Sequence, residues 1–385
     1  MFTNRSKSIE HHSCHKRFLF CYNELHKAVM KLKYSRQAYT PQHQGISHNH
    51  PKVSPDELPS KMDSMWYRVV VLHFLIVRIL SYKTGLLIMP FPVVGVTRPN
   101  FLILTPICVS LGVGSALLSG FPITWGVVGI VLLGALMAHV SVNALNEYFD
   151  FHSGLDAKTD RTPFSGGSGT LIIQPHLAPQ ALIIGAISLL ITLACGLYLI
   201  QVSGWGLIPI GLIGILIIIT YTSWINRYRF LVLIASGFCF GPLMVIGTHY
   251  ALTSQLSIAA LLLSLTPFFL VNNLLLLNQI PDIDADRSIG RNNYAISWQA
   301  PKRARLFLAF SLAAYVAIVS GVMLGHLPMT ALLCLLTIGL VYKIYVVIKR
   351  ETSDRDQLIA SLGRNVILTL LTPSLIFIGI LMDTL

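Results

Sequence analysis

Beyond residue 98 the chain alternates long uncharged runs with short polar clusters. Residues 99–146 contain no Lys, Arg, Asp or Glu. A helix needs roughly 20 consecutive apolar residues to cross a bilayer core, and that length recurs down the chain. The pattern predicts helices near 99–119, 124–149, 181–201, 205–225, 230–250, 256–280, 304–324, 328–348 and 365–383. The expected fold is therefore an all-α polytopic membrane protein, a bundle of nine transmembrane helices. Turn-formers near Gly120, Gly204 and Pro328 join neighbouring helices into hairpins.

Composition agrees. Of 385 residues 54% are hydrophobic and 11% charged, against roughly 25% charged in globular domains, which excludes a soluble protein. The net charge of +12 is concentrated near the N-terminus. Residues 1–65 hold ten Lys/Arg against five Asp/Glu, and 66–98 add four basic residues and no acidic ones. Beside membrane spans, such a basic leader favours anionic lipid and a cytoplasmic position, and gives no nucleic-acid partner. Residues 1–65 are polar and His-rich and read as a disordered cytoplasmic tail. His11, His12, Cys14, His15 and Cys21 lack the pair spacing of a zinc site. Residues 66–97 are apolar but interrupted by Arg68, Arg78, Lys83, Pro90 and Pro92, so an interfacial amphipathic segment is expected there. Residues 98–385 form the helical domain. Six scattered Cys make no disulfide framework, and no secretory signal peptide is recognisable.

The loops after the first, third, fifth and seventh predicted helices carry no Lys, Arg, Asp or Glu. Those after the second, fourth, sixth and eighth carry nearly all of them, including Lys158 and Arg161, Arg227 and Arg229, Arg287 and Arg291, and Lys349 and Arg350. The positive-inside rule then places these loops and the N-terminus in the cytoplasm.

Two acidic clusters close even-numbered helices and so share one membrane side. In the first, Asn143, Asn146 and Asp150 fall at i, i+3 and i+7, on one helical stripe, followed by Asp156 and Asp160. In the second, Asn278, Asp282 and Asp286 recur every four residues and are expected to align likewise, with Asp284 solvated. Carboxylate and amide oxygens are hard ligands suited to Mg²⁺, which commonly bridges one or two carboxylates to substrate phosphates. Arg161, Arg229, Arg287 and Arg291 bring guanidinium forks suited to phosphate oxygens. Tyr221 ends a span on the charged side, and Ser165-Gly-Gly-Ser-Gly169 could offer backbone N–H groups to phosphate. His139 could face a cavity or pack between helices.

These residues resemble the motifs of the UbiA superfamily of intramembrane aromatic prenyltransferases. Asn146-Glu-Tyr-Phe-Asp150 with Asp156 is similar to the first Asp-rich motif in the spacing of its MenA-like members, with Glu147 where many have Asp. The run Arg161-Thr-Pro-Phe-Ser-Gly-Gly-Ser-Gly169 is similar to that group as well. Asp282-Ile-Asp-Ala-Asp286-Arg287 with Gly290-Arg291-Asn292 resembles the second motif, and Arg98-Pro99 and Tyr221-Thr222 add to the likeness. The resemblance implies a bundle enclosing a cavity, in a bacterial inner membrane. It implies Mg²⁺ held by Asn146, Asp150, Asp156, Asp282 and Asp286, with Asp156 preferred to Asp160. Asn143, Arg161, Tyr221, Arg229, Arg287 and Arg291 would then serve the diphosphate, with Asp150, Asp282, Asp286 and Tyr221 carrying the reaction. The implied partners are a polyprenyl diphosphate and an aromatic acceptor, 1,4-dihydroxy-2-naphthoate first on the way to menaquinone, with 4-hydroxybenzoate, homogentisate and other phenols as alternatives. A cation or proton transporter, the rival from another class, would place acids at mid-helix and accessible from both sides; here the spans are nearly charge-free.

Overall fold

The computed structural model describes residues 92–350 and 354–384, all within the compact unit Leu87–Leu385. The reading of 1–65 lies outside these residues. Of 66–97 only Pro92–Thr97 is described, as a 3-10 helix.

Every regular element among the described residues is helical. The apolar helices are α1 Leu104–Leu118, α2 Trp125–His152, α3 Ala178–Ser203, α4 Leu207–Thr220, α5 Arg229–Thr253, α6 Ile258–Asn278, α7 Ala300–Met323, α8 Met329–Lys349 and α9 Arg355–Thr384. Seven of them, α2, α3 and α5 to α9, are long and apolar enough to cross a membrane. The helix α1 reaches that length only with Pro92–Phe101, from which it bends by 43°. The 14 residues of α4 extend roughly 21 Å, short of the roughly 30 Å hydrocarbon core. The nine expected segments are thus seven full spans, an eighth if the bent pair counts as one, and one short helix. The chain leaves α4 at Tyr221 and turns into the 3-10 stretch Ile225–Arg227, where the apolar run gives way to polar residues.

The helix α6 is the central post, packed against α1, α5, α7 and α9. Its Leu263, Leu270, Leu276 and Leu277 are fully buried. Two glycines let α5 approach it closely: a Cβ at Gly237 would stand 2.1 Å from the Phe268 carbonyl oxygen, and one at Gly241 2.4 Å from that of Ser264. Small residues serve this purpose in membranes, where lipid supplies no hydrophobic drive between helices. Polar links tie α6 to α5 and to α7. The Gly237 N–H donates to Asn272 Oδ1 at 2.8 Å, and Asn273 Nδ2 donates to the Phe307 carbonyl at 2.9 Å. The hydroxyls of Tyr315, Thr337 and Thr372 form a chain at 2.8 Å per step that ties α7, α8 and α9. Within α5, Cys239–Ile246 widens to a π-helix around Pro242, which has no N–H for the α ladder. Residues of this stretch face the cavity described next.

Candidate active site

The first acidic cluster stays on one continuous helix. No Pro or Gly interrupts α2 between Ala135 and Ser153, and it ends only where Gly154 turns left-handed with φ 73°. Asn143, Asn146 and Asp150 accordingly share a stripe that lines a cavity. Asn146 Nδ2 donates to Asp150 Oδ2 at 2.9 Å and to Thr222 Oγ1 at 3.2 Å. Asn143 Nδ2 donates to the Thr97 carbonyl at 2.9 Å. After Gly154 the short helix Leu155–Lys158 turns Asp156 back to the same cavity, buried. Asp160 lies outside it, exposed and paired with Arg355.

The second cluster departs from the expected stripe. Pro281 cannot continue the ladder, so α6 stops at Asn278, Asp282 takes a non-helical conformation, and Asp286 sits on a separate helix, Ile283–Ser288. Asn278, Asp282 and Asp286 still line the one cavity, brought there by a break rather than by periodicity. Asp284 is exposed and pairs with Arg287 at 3.0 Å. Gly290, with φ 79°, reverses the chain, and Arg291 returns to the acids. Its Nη1 donates to Asp286 Oδ1 at 3.1 Å and its Nη2 to Asp150 Oδ1. One guanidinium therefore joins the two clusters, and both sit at the same end of the bundle.

The cavity encloses about 660 Å³ and has two parts. Its rim carries Asp150, Asp156, Asp282 and Asp286, and its arm continues between apolar side chains to Val131, Leu199 and Leu207. From Asp150 to Val131 along α2 is nineteen residues, roughly 28 Å of helix. Arg98 and Arg291 are the basic side chains lining it, and Arg98 is taken up by the fully buried Glu147 at 2.7 Å. The rim is left with uncompensated negative charge. Burial, with Glu147 and Asp150 beside it, pushes the Asp156 carboxyl up to about 7. Burial and then Asp286 raise Asp282 to about 6, against hydrogen bonds from the Ser165 side chain and the Gly166 backbone. Burial also raises Asp286, with Arg291 opposing. Burial raises the Tyr221 hydroxyl too, against its bond to Ser236 Oγ at 3.2 Å.

Two predicted phosphate contacts are placed elsewhere. Arg287 is exposed with Asp284, and Arg229 is exposed with its guanidinium 5.9 Å from the Tyr294 ring centre. Arg229 opens α5 and Arg287 closes the short helix Ile283–Ser288, and charge in the sequence does not say which way either side chain points. Arg161 packs against Gly169, near Asp156 but not on the lining. Tyr221 and Arg291 do line the cavity. So does His139, whose Nδ1 lies 2.9 Å from Thr105 Oγ1. The lining cation that spacing did not single out as a site residue is Arg98; its signals were a lone charge just before the uncharged run and the Arg98-Pro99 pair in the family likeness.

The donor set suits a hard divalent cation. Asp156 Oδ2, Asn278 Oδ1 and Asp282 Oδ1 are buried without a hydrogen-bond partner, and all three residues line the rim. Orphaned buried oxygens are costly, and a Mg²⁺ ion with its waters would satisfy them. Among the described residues no three His, Cys, Asp or Glu side chains stand close enough to hold a metal unaided.

Comparison with known proteins converges on one family. Residues 72–365 match the UbiA prenyltransferase family. The 1,4-dihydroxy-2-naphthoate octaprenyltransferase of Bacillus subtilis (strain 168) is 29% identical over 198 residues, covering 51% of this chain and 62% of that protein. The match thus spans less than two thirds of that relative. Among solved structures, the apo UbiA homolog from Aeropyrum pernix K1 superposes with TM-score 0.58 at 20% identity, over 74% of this chain and 98% of that one. A UbiA homolog from Archaeoglobus fulgidus bound to GPP and Mg²⁺ gives 0.56 at 13% identity, over 75% and 99%. At these identities the likeness to the solved structures is one of fold.

Proposed function

The chain belongs to the UbiA prenyltransferase family, and from that membership and the two-part cavity we propose that it transfers a polyprenyl group from an allylic diphosphate to an aromatic acceptor. The observation that carries the reading is an acid rim opening onto a long apolar arm. A diphosphate is repelled by four carboxylates unless divalent cations intervene, while the arm suits a hydrocarbon tail. The acceptor we assign is of the 1,4-dihydroxy-2-naphthoate type, supported by the name of the Bacillus relative. The Archaeoglobus structure, with GPP and Mg²⁺ bound, supports the donor and the ion.

In this reading Asn146, Asp150 and Asp156 from one side, and Asp282 and Asp286 from the other, hold Mg²⁺. When bound, Mg²⁺ supplies neutralisation of the departing diphosphate's charge. Arg291 exchanges its carboxylate partners for phosphate oxygens, and the Tyr221 hydroxyl donates from the cavity wall. The allylic C–O bond breaks with its electron pair leaving on the diphosphate, and an electron-rich ring carbon closes on the allylic carbon. That ring carbon then releases a proton, or CO₂ where it carries the carboxylate, so that the ring regains its aromaticity. The apolar lining keeps water from that carbon. We place the rim on the cytoplasmic face of a bacterial inner membrane, on the distribution of basic loops.

The test uses purified protein in detergent, a prenyl diphosphate, and a panel of 1,4-dihydroxy-2-naphthoate, 4-hydroxybenzoate and homogentisate, with Mg²⁺ or with EDTA. Mass spectrometry should find the prenylated naphthoate-derived product only with Mg²⁺. Product with another phenol alone would move the acceptor assignment, and no product with any acceptor would overturn the reading.

A further inference from the structure

Glu147 lies between Asn146 and Asp150 in sequence, and charge alone would group it with the rim acids. The structure sets it apart. One residue along a helix is a turn of about 100°, so Glu147 points away from the face of Asn146, is fully buried and does not line the cavity. Both of its carboxylate oxygens are engaged. Oε1 accepts from Arg98 Nε at 2.7 Å and from the Ser168 backbone N–H at 2.7 Å, with Arg98 Nη2 ion-paired to it at 2.7 Å. Oε2 accepts from the Ser168 hydroxyl at 2.7 Å.

We propose that Glu147 is a positioning residue of this site and not one of its metal ligands: it fastens Arg98 and the loop 165–169 across the cavity mouth, fixing the separation of Asp156 from Asp282. The proposal rests on the prenyl-transfer reading above. Three features of the loop carry it. Gly166, Gly167 and Gly169 take φ of 81°, 72° and 77°, a path only glycine follows readily. A Cβ at Gly167 would stand 3.1 Å from Asp156 Oδ1 and 3.2 Å from Glu147 Oε1, so the loop backbone is threaded between the brace and the rim acid. At its other end Ser165 and Gly166 lie beside Asp282 on the cavity lining, and Asp282 Oδ1 is buried there without a hydrogen-bond partner. Arg98 adds an independent sign of a held conformation. It is a non-glycine residue with φ 50°, a backbone state L residues keep only when their surroundings impose it. One buried carboxylate thus joins the segment before α1, the helix α2 and the glycine loop, and through the loop reaches the second acidic cluster.

The test compares full-length wild type, Glu147→Gln, Ser168→Ala and, as a ligand control, Asp156→Asn. Steady-state assays give kcat, KM for the prenyl diphosphate and the Mg²⁺ half-saturation, and amide hydrogen exchange reads 165–169. Glu147→Gln should lower kcat at least about tenfold and speed loop exchange about tenfold or more, with Mg²⁺ half-saturation within about twofold of wild type. Asp156→Asn should instead raise the Mg²⁺ requirement. A Glu147→Gln variant that shifts Mg²⁺ half-saturation as Asp156→Asn does, or leaves loop exchange unchanged, overturns the proposal. Ser168→Ala keeps the Arg98 pair and should loosen the loop alone, so unchanged exchange there overturns it even if Glu147→Gln does not fold. Wild type without Mg²⁺-dependent product would count against the functional reading instead, and the exchange data would still judge the brace.

Discussion

Arg291 is the side chain that joins the two acidic clusters, so replacing it with Met perturbs the site at its joint. Its partners Asp150 and Asp286 are 8% and 4% exposed and Arg291 itself 18%, so the pair is not a solvent-screened surface contact. Removing one partner of a buried ion pair costs about 3–5 kcal/mol, chiefly because the remaining charge stays buried and unpaired. Two carboxylates would be stranded here, and uptake of a proton by one of them would offset part of the loss. Without Mg²⁺, Arg291→Met should therefore destabilise the protein by about 3 kcal/mol near neutral pH. The deficit should shrink at pH 5.5, where a carboxyl can neutralise. Mg²⁺ should recover more stability in the variant than in wild type, because it supplies the missing positive charge. Loss of a donor to developing diphosphate charge should also lower kcat/KM by roughly 10²–10³, with Arg291→Lys intermediate because it keeps the charge but not the fork. Thermal unfolding in detergent, with and without Mg²⁺ at two pH values, measures the first effect and diphosphate release the second. An Arg291→Met protein as stable as wild type in metal-free buffer would refute the reasoning.

Other outcomes follow from where each side chain lies. Asp156→Asn should raise the Mg²⁺ half-saturation at least about tenfold. Asp160→Asn breaks only an exposed, solvent-screened pair with Arg355, and should leave activity near wild type. Arg229→Ala and Arg287→Ala should change kcat/KM by no more than about threefold, since both are exposed away from the cavity; larger losses measured in the product assay would return them to the site. Asp156 and Asp282 titrate at about 7 and about 6, raised mainly by burial. The folded state then keeps protons that the unfolded chain has already released, so metal-free stability should fall as pH rises from about 4 to about 7. Mg²⁺ must displace the same protons, so its half-saturation should fall as pH rises from about 6 to about 8; a half-saturation that isothermal titration finds unchanged across that range would show that these carboxyls are not ligands.

Hydropathy and loop charge sufficed for an all-helical membrane bundle, because lipid leaves the backbone few alternatives to helix. They overestimated α4 and α1, since an apolar run marks what can be buried in lipid and not where the ladder ends or bends. The stripe of Asn143, Asn146 and Asp150 was readable because nothing between them breaks α2. The second cluster was not readable in the same way: a four-residue period suggested one helix, and Pro281 overruled it. Charge alone also did not reveal that Glu147 is held by Ser168, 21 positions away, or that Arg229 and Arg287 lie exposed. Partners that distant in sequence, and the direction a side chain at a helix end takes, depend on packing that no local pattern encodes.

An experimental structure with Mn²⁺ and a prenyl thiodiphosphate would test the central claim most directly. Anomalous scattering should place the ion between the Asp150/Asp156 side and the Asp282/Asp286 side, at coordinating distance of carboxylates from both, with the hydrocarbon tail running down the arm toward Val131 and Leu207. An ion and diphosphate bound away from these carboxylates, or a tail lying outside that arm, would contradict the account.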